Sequence, residues 1–314
     1  MVAEVYTLGE AMARISSTTT GPLRHSPLMK LGIAGAEANV AIGLARLGVA
    51  AEWSGRVGDD EFGRLITSVL RGEGVLTDAI VDGTANTGLL IKERRTAGLS
   101  RVQYYRAASA GSRYAPADVD DAAVEQAEIL HVTGITPALS DSARAAVEHA
   151  IDVASAAGTT VSFDVNYRTG LWSAEEAAPV LRSIAARADI VFAGHSEAGL
   201  IVDGEDDWQL AEGLAALGSQ QVVIKRGRAG AVAVIDGTRF TAPLYVMDEL
   251  DPIGAGDAFT AGYLAEWIAK ASPEQMLQTA SQCGAFSVTV EGDWEGLPTR
   301  DDLNLLTSMG EVQR

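Results

Sequence analysis

Short apolar runs that read as buried strands alternate along this chain with longer amphipathic runs that read as helices, and this alternation narrows the fold more than any other feature. Strands are expected at 3–8, 50–55, 129–133, 160–164, 190–192 and 221–225, and helices at 36–47, 60–71, 140–157, 174–187 and from 196 onward. Gly48 and Gly72 stand where the first two helices should stop, because glycine accepts the left-handed backbone of a helix end. A hairpin is expected through 231–235 and 239–242 about an Asp236-Gly237 turn, and helices at 254–270, 273–290 and from 301 close the chain. Such a rhythm builds an α/β fold, a mainly parallel central sheet with helices on both faces.

Two stretches break the rhythm. Residues of about 11–33 and 86–107 are polar, strand-like and rich in Thr, Arg and Tyr, with an alternating run at 102–106 after a turn-like Ala97-Gly98. Too little of their surface is apolar for a core, so they are expected to project as a small β lid able to close over a site. No Pro- or Ser-rich linker and no repeat divides the 314 residues, and one domain spanning 1–314 is expected. Exposed edges on the lid strands would let copies of the chain pair into a homo-oligomer.

Charge and cysteine usage exclude several classes of function. A formal charge of −18 argues against nucleic acid and against an anionic membrane, both of which reward clustered Lys and Arg. An anionic ligand would have to be met by a few arginines and by helix N-termini. Cys283 is the sole cysteine and the four histidines lie far apart, which removes a disulfide and a Cys- or His-based metal site. His195 is expected to be a cap or surface group. No stretch of eighteen apolar residues occurs, so a cytoplasmic protein is expected.

One motif carries chemistry. Asp251-Pro252-Ile253-Gly254-Ala255-Gly256-Asp257 runs into a helical pattern, which places the glycines at a helix start where free amides can hold an anion. Asp257 then lies on the first turn. It is either a base that takes a proton from a hydroxyl attacking a phosphoryl group or an acid that merely favours the positive helix end. The Gly-Lys-Ser/Thr ending of a Walker loop is absent.

Two segments taken together break that tie. Gly35-Ala36-Glu37-Ala38-Asn39-Val40-Ala41-Ile42-Gly43-Leu44-Ala45-Arg46-Leu47-Gly48 and the Asp251 to Phe259 stretch resemble the two signatures of the ribokinase-like (PfkB-type) carbohydrate kinases, with Gly55-Arg56-Val57-Gly58-Asp59-Asp60-Glu61-Phe62-Gly63 similar to a third block between them. The resemblance runs the length of the chain in order. Within the family the chain most resembles 2-keto-3-deoxygluconate kinases, on Tyr104-Tyr105-Arg106, Gly134-Ile135-Thr136-Pro137, Asp164-Val165-Asn166-Tyr167-Arg168 and Gly292-Asp293-Trp294.

The resemblance implies an ATP- and Mg2+-dependent kinase that phosphorylates the acid sugar 2-keto-3-deoxygluconate at its 6-hydroxyl. Asp257 would be the catalytic base, and the amides of Gly254, Ala255, Gly256 and Asp257 would stabilise the transferring phosphoryl group. Lys225, Gly227 and Gly230 would follow the nucleotide phosphates. Glu197 would handle magnesium, although the Asn of the family's Asn-x-x-Glu element is Gly194 here. Gly35, Asn39, Tyr104, Ile135 and Asp293 would line the sugar, and Arg106 and Arg168 would hold its carboxylate. Leu90 stands where some relatives carry Tyr. A fructokinase- or ribokinase-type enzyme, and a sugar-binding or regulatory protein without catalysis, are the alternatives.

Overall fold

The computed structural model describes residues 2–96 and 99–307; the expected Ala97-Gly98 turn lies outside them. Thirteen strands run in chain order: β1 (Val5–Leu8), β2 (Met12–Ser17), β3 (Met29–Ala34), β4 (Ala51–Gly58), β5 (Leu76–Asp82), β6 (Leu89–Thr96), β7 (Leu99–Tyr105), β8 (Ile129–Thr133), β9 (Thr160–Asp164), β10 (Ile190–Gly194), β11 (Gln221–Lys225), β12 (Ala231–Ile235) and β13 (Thr238–Thr241). Between and after them come helices α1 (Ala36–Arg46), α2 (Glu61–Gly72), α3 (Asp121–Gln126), α4 (Asp141–Ala157), α5 (Ala174–Ala185), α6 (His195–Ala198), α7 (Asp207–Ala215), α8 (Ala255–Ile268), α9 (Pro273–Ser287) and α10 (Arg300–Thr307).

Nine strands form the main sheet in the order β13-β12-β11-β10-β9-β8-β1-β4-β5. Every neighbour pair from β11 to β5 is parallel, and the hairpin at the other end is antiparallel. Successive side chains on a strand point to opposite faces, so a sheet covered twice needs strands apolar throughout. That is what β10 does: Ile190 and Phe192 join the core shared with α1, α8 and α9, while Val191 and Ala193 join the core beneath α4, α5 and α7.

Several boundaries differ from expectation for local reasons. Gly72 belongs to α2, and the left-handed stop is Gly74, at φ +83°. The helix expected from 196 is a single turn, α6, after which Asp206 caps a separate α7 by accepting from the Gln209 amide. Strand β5 went unforeseen because Thr77, Asp78 and Asp82 interrupt its apolar pattern; it lies at the sheet edge, paired only with β4.

The polar stretches at about 11–33 and 86–107 supply β2, β3, β6 and β7, a separate four-stranded sheet in the order β3-β2-β6-β7. Its apolar core is only Met12, Ala34 and Leu90, with Val102 against them. This lid springs from the ends of β1 and β5 and returns to the main sheet through α1 into β4 and through α3 into β8. It therefore stands over the C-terminal ends of the parallel strands, where open α/β sheets place their ligands.

Candidate active site

Five strand ends deliver side chains to one place: Glu10 beyond β1, Ile135 beyond β8, Asp164 through Arg168 at and beyond β9, Glu197 beyond β10, and Lys225 ending β11. Helices α1 and α8 add Asn39 and Asp257. Gly254 precedes α8 with φ +81°, and a Cβ there would lie 1.9 Å from the Asp293 carbonyl oxygen, so both the backbone angle and the close approach require glycine. Amides of a first helical turn have no partner within the helix. Ala255 makes only a long 3.4 Å bond to the Pro252 carbonyl, and Gly256 and Asp257 make no backbone bond among the described residues.

Asp257 sits beside these amides, buried, with its Oδ2 accepting from Asn39 Nδ2 at 2.7 Å. Burial pushes its carboxyl up to about 7; the Asn39 hydrogen bond and the charges of Lys225 and Arg168 work against the rise, and the nearby Asp164 adds to it. A carboxylate poised near neutrality is suited to taking a proton and giving it up again. Asn39, expected at the sugar, therefore also holds the Asp257 carboxylate. Its own Oδ1 is buried without a hydrogen-bond partner among the described residues.

Lys225 lies under the same amides: a Cβ on Gly256 would come within 3.4 Å of its Nζ. That Nζ donates to Asp164 Oδ2 at 2.5 Å, and Thr260 of α8 donates to the same oxygen at 3.3 Å. Burial disfavours the ammonium, but Asp164, Glu197 and Asp257 outweigh it and its pKa is raised. Asp164 was quoted in the sequence only as part of a motif; a strand-end acid opposite a strand-end Lys was the signal available for its role as counter-ion.

A cavity of about 450 Å3 opens from this point, lined by Lys225, Gly227, Gly230, Ala255, Gly256 and Phe259 among others. Its lining combines the free amides and the Lys225 charge with apolar side chains, including Leu244 and Val288, which suits a nucleotide. Glu197 is committed to backbone: Oε1 accepts from the Tyr167 amide at 3.0 Å and Oε2 from Gly194 at 2.6 Å. Among the described residues no group of three or more His, Cys, Asp or Glu could hold a metal ion. Magnesium carried by a nucleotide keeps several waters and needs only one or two carboxylates, and the Asp164 Oδ1, buried without a partner, is an acceptor near by.

The sugar-side residues divide. Ile135 is buried and Tyr104 is 53% exposed on β7, its ring under the Arg106 guanidinium at 5.7 Å. Gly35 packs on the backbone beyond β1, where a Cβ would lie 2.9 Å from the Glu10 carbonyl. Arg106 is engaged by Glu10, with Nε donating to Oε2 at 2.7 Å and Nη2 2.5 Å from the same oxygen but off line for a hydrogen bond. Ser109 also donates to Glu10. Arg168 is exposed and makes no ion pair among the described residues. Asp293, expected at the sugar, accepts at Oδ1 from Arg14 Nη1 at 2.7 Å. Glu10, Glu37, Arg14 and Lys92 were missed; Glu37 is fully buried, accepts from Thr133 and Thr136, and its carboxyl is pushed up by burial. Trp294 lies under the Arg46 guanidinium of α1 at 5.3 Å.

Comparison with known proteins agrees with this geometry. The model of the pfkB family carbohydrate kinases matches residues 2–300. The 2-dehydro-3-deoxygluconokinase of Thermoproteus tenax is 36% identical over 297 residues, covering 93% of this chain and 90% of that one. The 2-dehydro-3-deoxygalactonokinase of Haloferax volcanii is 34% identical, covering 93% of each. A ribokinase II candidate of E. coli, solved in complex with ATP and Mg2+, superposes with a TM-score of 0.91 at 25% identity, over 98% of this chain and all of that one. A family model that spans residues 2–300 and relatives above 30% identity matched nearly end to end show that the chain belongs to the pfkB family of carbohydrate kinases.

Proposed function

We propose that this carbohydrate kinase transfers the γ-phosphoryl group of ATP to the 6-hydroxyl of 2-keto-3-deoxygluconate. The observation that carries the mechanism is the buried Asp257, held by Asn39 beside unpartnered helix-start amides and brought to a pKa of about 7. Asp257 takes the hydroxyl proton as the oxygen bonds to phosphorus and the bond to the ADP oxygen breaks. The Gly254, Ala255, Gly256 and Asp257 amides receive the charge that develops on the phosphoryl oxygens, and Lys225 supplies a positive charge from below. Magnesium carried by the nucleotide would neutralise phosphate charge; Asp164, whose Oδ1 is unpartnered, would face it, and Glu197, whose oxygens accept from the Tyr167 and Gly194 amides, would add its negative charge near by.

An acid sugar is favoured by Arg168, an exposed guanidinium without an ion pair among the described residues whose charge reaches Asp257. Arg106 is the lesser contributor to carboxylate binding, because Glu10 already balances its charge. The resemblance to gluconate- and galactonate-type kinases supports the same class of substrate without choosing the stereocentre. In this reading the chain is one kinase domain with a lid, working in the cytoplasm; no helix among the described residues is long and apolar enough to cross a membrane. Exposed Leu31, Leu99 and Tyr105 on the lid strands support pairing of copies there.

The test is a panel of 2-keto-3-deoxygluconate, its galactonate epimer, fructose and ribose with ATP and Mg2+, compared by kcat/KM. The reading expects the acid sugars to lead. Stronger turnover of fructose or ribose would replace it with a neutral-sugar kinase.

A further inference from the structure

The lid has almost no apolar core of its own, and two cations are sunk from it into the body of the protein. Arg14 on β2 is 1% exposed. Its Nη1 donates to Asp293 Oδ1 at 2.7 Å and its Nη2 pairs with Glu295. Gly32, opposite Arg14 in the β2–β3 register, leaves the space: a Cβ there would stand 2.8 Å from Nη2. Lys92 on β6, also buried, pairs with Asp251, whose Oδ2 accepts in addition from the Gly292 amide at 3.1 Å.

Both acids belong to the backbone that frames the phosphoryl site. Asp251 lies three residues before Gly254, and the Asp293 carbonyl is the atom pressed against Gly254. The 251–254 and 292–295 segments thus meet at the residue that starts α8, and each is tied to the lid by one buried cation. Stability alone is a poor reason for such pairs, since apolar side chains of like volume usually serve a buried contact as well or better. A lid that must lift at every turnover has a different requirement. Separated charges are hydrated by water, whereas a separated apolar contact exposes hydrophobic surface.

We infer that Arg14 and Lys92 are positioning residues that couple the seating of the lid over the sugar to the geometry of the Gly254–Asp257 amides. With the lid seated, the two cations fix the 251–254 and 292–295 segments against each other and hold the amides where the phosphoryl group arrives. With it raised, Asp251 and Asp293 lose their lid cations and the amide site loosens. The inference rests on the reading of these amides as the phosphoryl site and of the lid as the cover of the sugar.

The coupling is measured as the affinity for a non-hydrolysable ATP analogue with Mg2+, by calorimetry, with and without a saturating sugar. The sugar used is whichever of the four above gives the highest kcat/KM, so failure of the 2-keto-3-deoxygluconate reading leaves this test intact. In the wild type the sugar should tighten the analogue on the order of tenfold. In Arg14→Met and in Lys92→Met the factor should fall toward one, with affinity for the analogue alone unchanged, and Arg14→Lys should recover part of it. A purely structural role would lower the unfolding temperature and the fraction of active sites but leave the coupling per folded site at the wild-type value. That result, or an uncoupled wild type, overturns the inference. Should Arg14→Met fail to fold, Lys92→Met decides it alone by the same criterion.

Discussion

The two ends of the active site are built by opposite means. At the α8 end, Asp257, Asn39, Asp164 and Lys225 stand on helices and strands whose apolar side chains form the two main cores, and their few polar contacts are short and specific. At the lid end, four strands share a core of three residues and are held by ion pairs: Arg14 with Asp293 and Glu295, Lys92 with Asp251, Arg94 with Glu291. The groups at the α8 end are set in rigid packing, whereas the lid strands are fastened to the body mainly by charge, with Ile33 of β3 reaching the main core.

The largest effect expected from this contrast is at the rigid end. Asp257→Asn keeps the shape and removes the base, and kcat should drop by about 100- to 10,000-fold with both KM values close to wild type in steady-state assays. The same substitution should stabilise the protein at pH 8. The folded-state pKa of about 7 lies above the ordinary carboxylate value of 3.8, so the folded protein holds the proton more tightly and its stability declines as pH rises between those values. Wild-type unfolding temperatures should therefore fall from pH 5 to pH 8 relative to those of the variant. A variant equally active, or a difference that does not depend on pH, would remove Asp257 from the centre of the account.

Next comes the substrate side. Arg168→Ala should raise KM for the acid sugar by about 10- to 100-fold, the range of a lost charge-assisted hydrogen bond, and leave activity on a neutral sugar unchanged. An equal loss on both would mean that Arg168 acts through Asp257 rather than through a carboxylate. Asn39→Ala is a smaller change with a defined sign. The Asn39 amide favours the ionised carboxylate, and without it the acid limb of the rate profile should move to higher pH.

The smallest effect belongs to the outer lid. Arg94→Ala removes a pair that is part exposed to solvent, and such pairs are worth about 0–1 kcal/mol. Its effect on unfolding temperature should be within a degree or two, and further reduced in 0.5 M salt. A large loss there would show that the lid is fastened at its rim rather than by Arg14 and Lys92.

Much of the main sheet was legible because burial on both faces forces strands into continuous apolar runs: 129–133, 160–164 and 221–225 were read to the residue. Strand β5 was not, since an edge strand can afford Thr77, Asp78 and Asp82. The start of α8 was legible through glycine, because a helix start that must admit another backbone at 1.9 Å from a Cβ position has no other residue to use. The pairing of the lid with the body was not. Arg14 and Asp293 are 279 residues apart, and no local pattern tells which acid a buried cation will meet. Arg106 illustrates the same limit, since Glu10, its partner across 96 residues, reads in the sequence as an ordinary strand-end acid.

The most direct test of Asp257 as the base is the pH dependence of kcat/KM for the sugar from pH 5.5 to 8.5 in wild type and in Asp257→Asn. The wild-type value should be lost as pH falls through about 7, tenfold per unit at the acid end, and the residual activity of the variant should show no such limb. A flat wild-type profile, or a variant that retains the limb, would contradict it.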